Sequence, residues 1–500
     1  MLLILSSLIL LLFLLLLLMQ ISKRSSKLRY LPPGPEKLPL IGNLHHMFSS
    51  LPHHRLRDLA KTYGPIFHLQ LGEMSVVTIS SPDLAKEVFK THELAFAQRP
   101  LFSYVEMSIF PSPTFLPYGE EWRQLRKIFV MELLGGQRVR SFQSIRKEET
   151  SSLINYICSL SGSPFNLSKK MDAFTNSIVS KAAVGHKNKQ EEFISAIREM
   201  VTYTGGFSVA DVFPSLKFLA NMIGLYSKFK MLQKKNDKIL DSILNDHQTR
   251  RDQDLRNKES AFRREDILDA LLGLRTTNKF GLNLTDREIK GIIVDLFVAG
   301  SITTSTLLEW AMAELIRNPK VMARAQAEVR EVLKGEGHVE ESDLNRLKYL
   351  KAIIKESFRL HPPVPLIPRE ATKEREISGY RIPVNSRILI NVMAIGRDPN
   401  YWADPEKFKP ERFLESPVDF LGTNFELLPF GSGKRSCPGI AFASASIEFI
   451  LASLLYHFDW QLPEGEAMEE LDMTEAFAAT VTRMHNLNVI AIPIIPKVAA

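Results

Sequence analysis

The hydrophobic pattern begins with one long apolar segment at the N-terminus. The first 21 residues include 18 hydrophobic ones and no charged one. As a helix, this segment rises about 32 Å, enough to cross a bilayer core of about 30 Å. We therefore predict a transmembrane anchor over residues 1–22. A cleaved signal peptide would need a basic start, a shorter apolar stretch and small residues at a cleavage site, and the sequence has none of these.

Basic residues and prolines separate this anchor from the rest of the chain. Residues 23–29 carry four Lys or Arg side chains, whereas none precedes the apolar segment. Positive charge stays on the cytosolic side, so the remainder of the chain is expected in the cytosol. The segment LPPGP follows at residues 31–35, and prolines favour a stiff, extended backbone. Residues 23–36 are thus predicted to form a hinge that holds a cytosolic body against the membrane.

Beyond the hinge, helical periodicity dominates. Apolar residues recur at spacings of three and four, which predicts helices over residues 83–90, 122–134, 191–203, 225–246, 286–318, 320–334, 350–360 and 441–456. Strand-like alternation is rarer and occurs at residues 66–71, 75–79, 387–392 and 487–492. The charge-dense segment 247–266 is interpreted as a solvated connection between helices. The pattern predicts a mainly α protein with small β-sheets (α+β), formed by a single large domain over residues 37–500.

The composition narrows the classes of function. Hydrophobic residues make up 45% and charged residues 24% of the chain, which excludes wholesale disorder and a polytopic membrane protein. Two cysteines, Cys158 and Cys437, cannot build a disulfide scaffold. The net charge of +7 suits a nucleic acid, an anionic membrane or an acidic protein partner. Nucleic acid is the least favoured of these, because no basic stripe or nucleic-acid motif accompanies the charge.

The strongest local signal is the segment PFGSGKRSCPG at residues 429–439, just before a predicted helix. A thiolate at Cys437 would gain from the helix dipole and from backbone N–H groups, so we expect its pKa to be lowered. One cysteine cannot hold zinc alone, and no histidine in a recognisable context supports a cysteine protease. A buried structural cysteine is the plain alternative. A single axial thiolate on haem iron needs only one cysteine, an apolar shelf and a cationic group such as Arg435.

Four motifs, in the same order along the chain, resemble those of the cytochrome P450 family. The haem signature Phe-x-x-Gly-x-Arg-x-Cys-x-Gly is matched by Phe430, Gly433, Arg435, Cys437 and Gly439. The family's Trp-x-x-x-Arg, Glu-x-x-Arg and Pro-Glu-Arg-Phe elements are matched at residues 122–126, 356–359 and 410–413. With the anchor and the hinge, the resemblance covers the whole chain. The amino-acid sequences of these motifs are similar to those of plant endoplasmic-reticulum P450s of the CYP71 clan.

This resemblance implies a cytochrome P450 fold that encloses haem b, with Cys437 as the axial ligand of the iron. It also implies further cofactor-binding residues, which are Trp122, Arg126, Arg369 and Arg435 on the haem propionates and Phe430, Gly433 and Gly439 in the cysteine loop. Glu356 and Arg359 lie one helical turn apart, and with Arg412 they are expected to form a buried ion network behind the haem. The role of this network is structural, and loss of one partner should cost several kcal/mol.

The predicted helix 286–318 matches the family's oxygen-activation segment except at one position. Ala299, Gly300 and Thr303 fit the pattern Ala/Gly-Gly-x-Asp/Glu-Thr. The small residues leave room for O₂, and the threonine hydroxyl can interrupt the helical hydrogen bonding. Ile302 stands where most relatives have a carboxylate that helps to relay protons. Either Thr303, neighbouring hydroxyls and water suffice for hydroxylation, or the substrate contributes a polar group, which favours oxidative cyclisation, dehydrogenation or C–C bond formation.

The same resemblance outlines a substrate pocket that is largely apolar. Its expected residues are Phe102, Phe115, Phe207, Asp295, Val364, Leu366, Ile367, Phe477 and Ala478. Such a lining predicts a small lipophilic substrate, although an ordinary core position is the alternative for any single phenylalanine. Asp295 would pair with a basic amine, which favours an alkaloid.

We therefore predict a monooxygenase that oxidises a lipophilic plant specialised metabolite, a terpenoid or an indole alkaloid. Electrons from NADPH would arrive through a separate NADPH-cytochrome P450 reductase, an acidic partner that part of the basic surplus would steer. The anchor predicts single-pass insertion in the endoplasmic reticulum membrane, with the catalytic domain cytosolic. A P450 that rearranges a hydroperoxide without a reductase is disfavoured by the intact Thr303 and cysteine loop. A catalytically silent haem-binding scaffold is favoured only by Ile302.

Overall fold

The computed structural model describes residues 30–47, 51–101, 111, 113–160, 162–185, 190–202, 209–216, 225–257, 265–277, 281, 284–334, 338–464, 468–478 and 480–494. The predicted anchor over residues 1–22 and residues 23–29 of the predicted hinge lie outside the described residues. The same is true of Phe102 and Phe207, two of the expected pocket residues.

Helices supply most of the described structure. In chain order they are α1 (Pro52–Tyr63), α2 (Pro82–Lys86), α3 (Glu120–Ile128), α4 (Gly136–Ser141), α5 (Gln143–Ser159), α6 (Leu167–Val184), α7 (Gln190–Thr202), α8 (Val209–Val212), α9 (Leu225–Asn257), α10 (Ile267–Thr277), α11 (Asp286–Arg317), α12 (Pro319–Val332), α13 (Lys348–Leu360), α14 (Val392–Ile395) and α15 (Ile440–His457). Wider π-helical turns extend α2 and α3 at Glu87–Thr91 and Phe129–Leu133. Short 3₁₀ turns lie at Leu44–Met47, Glu93–Ala95, Pro214–Leu216, Asp343–Arg346, Pro410–Phe413 and Met468–Glu470.

The strands are short and form four small sheets. They are β1 (Ile66–Leu71), β2 (Met74–Ile79), β3 (Phe165–Asn166), β4 (Leu366–Glu370), β5 (Arg375–Ile377), β6 (Tyr380–Ile382), β7 (Arg387–Asn391), β8 (Phe458–Gln461), β9 (Glu475–Phe477), β10 (Val481–Arg483) and β11 (Asn488–Pro493). The largest sheet has the order β1-β2-β7-β4, in which β2 and β7 are parallel and the other pairs antiparallel. The others have the orders β3-β11-β8, β9-β10 and β5-β6.

Helix α11 runs through the helical core. A capping box fixes its start, because Glu288 Oε2 accepts from the Thr285 N–H at 2.7 Å while Thr285 Oγ1 accepts from the Glu288 N–H at 3.3 Å. The helix packs against α6, α13, α15 and β10. Both α11 and α15 are long and apolar enough to cross a membrane, but 61% and 67% of their most apolar windows are buried within the protein. A helix that is apolar on all sides and covered by protein is a core helix.

The structure contains the predicted helices and strands, with bounds that differ by a few residues. It also contains elements that the hydrophobic pattern did not predict. All eight predicted helical segments and all four predicted strands are present. The longer helices α1, α5, α6 and α10 and the short helices α4, α8 and α14 were not predicted. In α5, Arg146 is only 1% exposed and pairs with Glu341 through contacts of 2.6 and 2.9 Å. A charged side chain at a core position breaks the apolar periodicity on which the prediction depends.

The interpretation of residues 247–266 as a solvated connection is wrong over its first half. Helix α9 continues without interruption to Asn257. His247 is buried, and its Nε2 lies 3.0 Å from Asp266 Oδ2. This contact ties α9 to the residue that precedes α10, so the two ends of the segment are buried.

Candidate functional site

Two glycines shape the cysteine loop, residues 429–439. Gly431 has a φ of 67° and Gly433 a φ of 73°, in the left-handed region that residues with a side chain rarely adopt. A Cβ on Gly433 would also lie 2.5 Å from Glu93 Oε1 and 2.7 Å from the Phe89 carbonyl oxygen. Glycine is therefore required at this position both for conformation and for space.

The loop delivers Cys437 to the start of α15. The Cys437 N–H donates to the Phe430 carbonyl at 2.9 Å, and the Gly439 N–H points at Cys437 Sγ at 3.3 Å. Burial raises the pKa of the Cys437 thiol, and the Gly439 N–H, Arg126 and Arg99 oppose this effect only in part. The expected lowering of this pKa is therefore wrong for the polypeptide alone, because desolvation outweighs the helix terminus.

Aromatic packing fixes the loop from behind. The ring centroid of Phe430 lies 4.9 Å from that of Phe358 and 5.5 Å from that of Phe420. Phe358 belongs to α13, so the cysteine loop and this helix share one aromatic cluster.

The predicted ion network is present on the same helix. Glu356 and Arg359 are fully buried and joined by two hydrogen bonds, from Nε at 2.7 Å and from Nη2 at 2.8 Å. Arg412 Nε lies 3.0 Å from Glu356 Oε1. Arg359 also donates to the carbonyl groups of Gly396 and Pro405 at 2.6 and 2.7 Å. The network thus anchors the chain before the cysteine loop to α13.

Most N–H groups of Arg435 donate to backbone carbonyl groups. Its three nitrogens donate to the carbonyl groups of Ala97, Pro113 and Leu116 at 2.8, 3.3 and 2.5 Å. The guanidinium carbon also lies 4.2 Å from the ring centre of Trp122, whose indole N–H donates to the Pro113 carbonyl at 3.1 Å. Arg435 and Trp122 therefore bind Ala97, Pro113 and Leu116, which precede α3, to the cysteine loop.

Four arginines meet beside this loop. Burial, together with repulsion from Arg99 and Arg126, lowers the pKa of Arg435 to about 9. Burial and repulsion from Arg99 and Arg435 hold the pKa of Arg369 well below its usual range. The Arg99 Nε is buried and has no hydrogen-bond partner among the described residues. Mutually repelling, buried guanidinium groups are the donor set that an anion with two carboxylates would satisfy.

Sequence reasoning identified three of these arginines and missed Arg99. Arg126, Arg369 and Arg435 belong to recognisable motifs or follow a proline-rich one, whereas Arg99 is followed only by a proline. An isolated arginine of this kind is usually a surface residue. Only the folded chain, which brings it within electrostatic reach of Cys437 and Arg126, shows its importance.

The middle of α11 is the open part of this helix. Ala299 is exposed although most of this helix is buried, and Thr303 Oγ1 donates to the Ala299 carbonyl at 2.6 Å. A Cβ on Gly300 would lie 3.1 Å from Val179 Cγ2 of α6. The glycine thus permits close packing of α6, and the open side of the helix is formed by Ala299 and the partly exposed Ile302 and Thr303.

Asp295 is engaged by the chain. Its Oδ2 accepts from the Thr114 N–H at 3.0 Å, and it attracts the charge of Arg99. This carboxylate ties α11 to the segment that precedes α3, which weakens its interpretation as a partner for a substrate amine.

The other expected pocket residues fall into two groups. Phe115, Val364 and Leu366 are partly exposed and Ala478 is exposed, whereas Ile367 is buried against Gly431 of the cysteine loop. Phe477 stacks on His53 of α1, with ring centroids 5.7 Å apart. One face of the Phe477 ring is therefore covered by protein.

Comparisons with known proteins agree with this geometry. Residues 32–487 match the family model described as "Cytochrome P450". Premnaspirodiene oxygenase of Hyoscyamus muticus is 48% identical over 95% of both chains, and a melianol synthase of Citrus sinensis is 49% identical over 93% of this chain and 91% of that protein. A zebra fish cytochrome P450 solved with progesterone superimposes with a TM-score of 0.76 at 24% identity, over 89% of this chain and all of that one.

Proposed function

Because the chain belongs to the cytochrome P450 family and is similar to its CYP71 members, we propose that it is a monooxygenase whose substrate is a terpenoid. The family makes it a haem b enzyme that receives electrons from a reductase. The substrate class is supported by near-50% identity, over more than nine-tenths of the chain, to an oxygenase and a synthase named for premnaspirodiene and melianol, both terpenoids.

The residues beside Cys437 fit haem b. The thiol lies at the helix start with one N–H directed at its sulfur, and the arginine cluster carries more positive charge than Asp295 balances, which suits two propionates. Cys437 would bind the haem iron, and Arg99, Arg126 and Arg369 would hold the propionates. When bound, the haem supplies the iron that activates O₂, and the thiolate favours O–O cleavage.

Trp122 and Arg435 act mainly as supports in this proposal. Their donors already hold the carbonyl groups of Ala97, Pro113 and Leu116. The guanidinium carbon of Arg435 lies 4.2 Å from the centre of the Trp122 ring, a cation–π contact that stabilises both side chains. For Trp122 we propose positioning of Arg435 as the main role, beside the predicted donation to a propionate.

Thr303 is the residue proposed to hold a proton near O₂. Its hydroxyl proton now points to the Ala299 carbonyl, and rotation about χ1 would redirect it toward the open side of α11. Ile302 has no proton to hold. We propose hydroxylation as the reaction, with oxidative cyclisation or dehydrogenation as the second candidate that Ile302 favours.

A terpenoid suits the pocket better than an indole alkaloid does. The one carboxylate expected to bind an amine, Asp295, is occupied by Thr114 and Arg99. Val364, Leu366 and Ala478 offer apolar surface, which favours a hydrocarbon skeleton.

We also propose the location and the partner that the sequence predicts. The apolar segment 1–22 and its basic flank support a single-pass anchor in the endoplasmic reticulum membrane, with residues 37–500 cytosolic. The net charge of +7 supports electrostatic steering of an acidic NADPH-cytochrome P450 reductase.

The substrate class is tested with the full chain in microsomes that contain the reductase. A terpenoid panel that includes premnaspirodiene is compared with an indole alkaloid panel, with and without NADPH. We expect NADPH-dependent oxidised products from the terpenoid panel only. Turnover confined to the alkaloids would contradict the proposal.

A further inference from the structure

Ala478 and Thr480 lie in the turn between β9 and β10. Each strand of this hairpin is in contact with another element of the fold. Phe477 pairs with Val481 across the hairpin. Ala478 is exposed and Thr480 buried. The hairpin has only three residues in each strand, and so short a pair is not stable by itself. Its placement must therefore depend on contacts with other elements.

The first contact joins β9 to the start of α1. Glu475 Oε2 lies 2.6 Å from His53 Nε2 and 2.8 Å from His54 Nε2. Because an ionised carboxylate only accepts, both imidazoles donate to it. Glu475 and Phe477 lie two apart on the strand and share one face, and Phe477 stacks on His53. Both Glu475 and Phe477 of β9 therefore contact α1 through these two histidines.

The second contact joins β10 to α11 and to the segment before β4. The Val481 carbonyl accepts from Trp310 Nε1 at 3.0 Å, and the Val481 N–H donates to the Pro363 carbonyl at 2.9 Å. Trp310 is fully buried and stacks on His361, with centroids 4.2 Å apart and planes 5° apart. This rigid indole therefore fixes β10 relative to α11.

Open space lies beside the first contact, where hydrogen bonds to the two histidines act together with ring stacking to hold β9. A cavity of about 440 Å³ is lined by His54 and Glu475 of the first contact and by His361 of the second. A strand that borders such a cavity can move when its polar contacts are removed, whereas a close-packed strand cannot.

We propose that Glu475 and Trp310 are positioning residues for the oxidation, because together they set where Ala478 stands against the substrate. This inference rests on the proposed function, in which Ala478 lines the pocket. Neither residue needs to touch the substrate. Each acts through the hairpin, one at β9 and the other at β10, and so determines which carbon of the substrate is oxidised.

The test compares conservative variants with matched controls. Glu475→Gln keeps the size of the side chain and removes its charge, and Trp310→Phe keeps the ring and removes the N–H. Glu340→Gln removes the charge from another His-Glu pair, since Glu340 lies 2.8 Å from His338 Nε2. Trp460→Phe removes another buried indole hydrogen bond, which is made to the Leu454 carbonyl at 3.2 Å.

The readout is the ratio of regioisomeric products in reductase-containing microsomes, normalised to haem content. The probe is the member of the terpenoid panel that the wild-type protein oxidises fastest. We expect Glu475→Gln and Trp310→Phe to change this ratio by about tenfold, since a misplacement of about 1 Å can cost about a hundredfold in rate. The two controls should leave the ratio unchanged even where they lower thermal stability.

Ala478→Val separates failure of this inference from failure of the proposed function. If Ala478→Val changes the product ratio and neither Glu475→Gln nor Trp310→Phe does, the positioning role is overturned and the pocket assignment stands. If none of the three changes the ratio, the placement of Ala478 in the pocket is overturned together with the inference. If no terpenoid is oxidised at all, the proposed function itself is overturned.

Discussion

Glu356 and Arg359 form a fully buried, two-point ion pair, with 2.7 Å between Arg359 Nε and Glu356 Oε2 and 2.8 Å between Nη2 and Oε1. Glu356→Gln would leave Arg359 and Arg412 buried without their countercharge. We expect a loss of about 3–5 kcal/mol in the free energy of unfolding, measured by chemical denaturation followed by tryptophan fluorescence.

A surface pair nearby provides the control for this experiment. Arg324 Nη1 lies 3.1 Å from Glu411 Oε1, and the Arg324 side chain is 52% exposed. Arg324→Gln should change the free energy of unfolding by about 1 kcal/mol or less. Equal losses in the two variants would show that the buried network contributes no more than a surface pair.

Arg99 is expected to be required for haem retention, although no motif marks it. Arg99→Gln removes a buried charge that, among the described residues, is attracted by Asp295 and Cys437. We expect haem affinity to fall by about tenfold or more, as for other groups that support a metal centre. Haem per polypeptide after gel filtration measures this loss.

Arg123→Gln is the matched control for the Arg99 variant. Arg123 lies on the exposed side of α3 and pairs with Glu120. This substitution should leave haem content at the wild-type value. The proposed propionate role of Arg99 would be wrong if both variants retained haem equally.

Ile302→Asp tests whether the missing carboxylate shapes the reaction. Ile302 is partly exposed beside Thr303 on the open side of α11. If the Thr303 hydroxyl and water suffice for proton delivery, the product set and the product formed per NADPH stay unchanged. Ile302→Val controls for the altered side-chain volume. New products or tighter coupling in Ile302→Asp alone would favour the cyclisation or dehydrogenation candidate.

His68 predicts a specific loss of stability in acid. Burial, with repulsion from Lys37, lowers the pKa of His68 to about 3. In the unfolded chain the pKa of a histidine is about 6.5. Between these values the unfolded chain binds the proton and the folded chain does not. Stability therefore falls as the pH drops through this window.

His68→Gln should make this acid dependence shallower. Glutamine can keep a hydrogen bond to Ser75, whose Oγ lies 3.0 Å from His68 Nε2, but it does not titrate. The measurement is the denaturation midpoint between pH 6.5 and the onset of acid unfolding. His485→Gln is the control, because His485 is 67% exposed. Identical pH profiles for all three proteins would exclude His68 as a source of the acid dependence.

Local motifs allowed the sequence to predict those parts of the site that lie within one segment. Cys437, Gly433 and Gly439 belong to one loop, the cysteine loop. Glu356 and Arg359 lie three residues apart on one helix, so their spacing in the sequence already places them on one face. Long amphipathic helices were predictable for the same reason. The resemblance to a known family then supplied the order in which the motifs assemble.

What the sequence could not predict depends on contacts between distant segments. Arg99 interacts electrostatically with Cys437, which lies more than three hundred residues further along the chain. Asp295 accepts a hydrogen bond from the N–H of Thr114, which lies in a loop. The expected pKa of Cys437 was wrong because helix position is local, whereas burial depends on the whole fold. The buried charge of Arg146 concealed α5 for the same reason, since its partner Glu341 lies far along the chain.

The most direct measurement follows one oxygen atom from isotopically labelled O₂ into the terpenoid product. With reductase and NADPH, the wild-type protein and Cys158→Ser should each place one labelled atom in the product. Cys437→Ser should form no labelled product, because it removes the proposed axial ligand. Unlabelled product, product without the reductase, or full labelling by Cys437→Ser would contradict a monooxygenase built on the Cys437 thiolate.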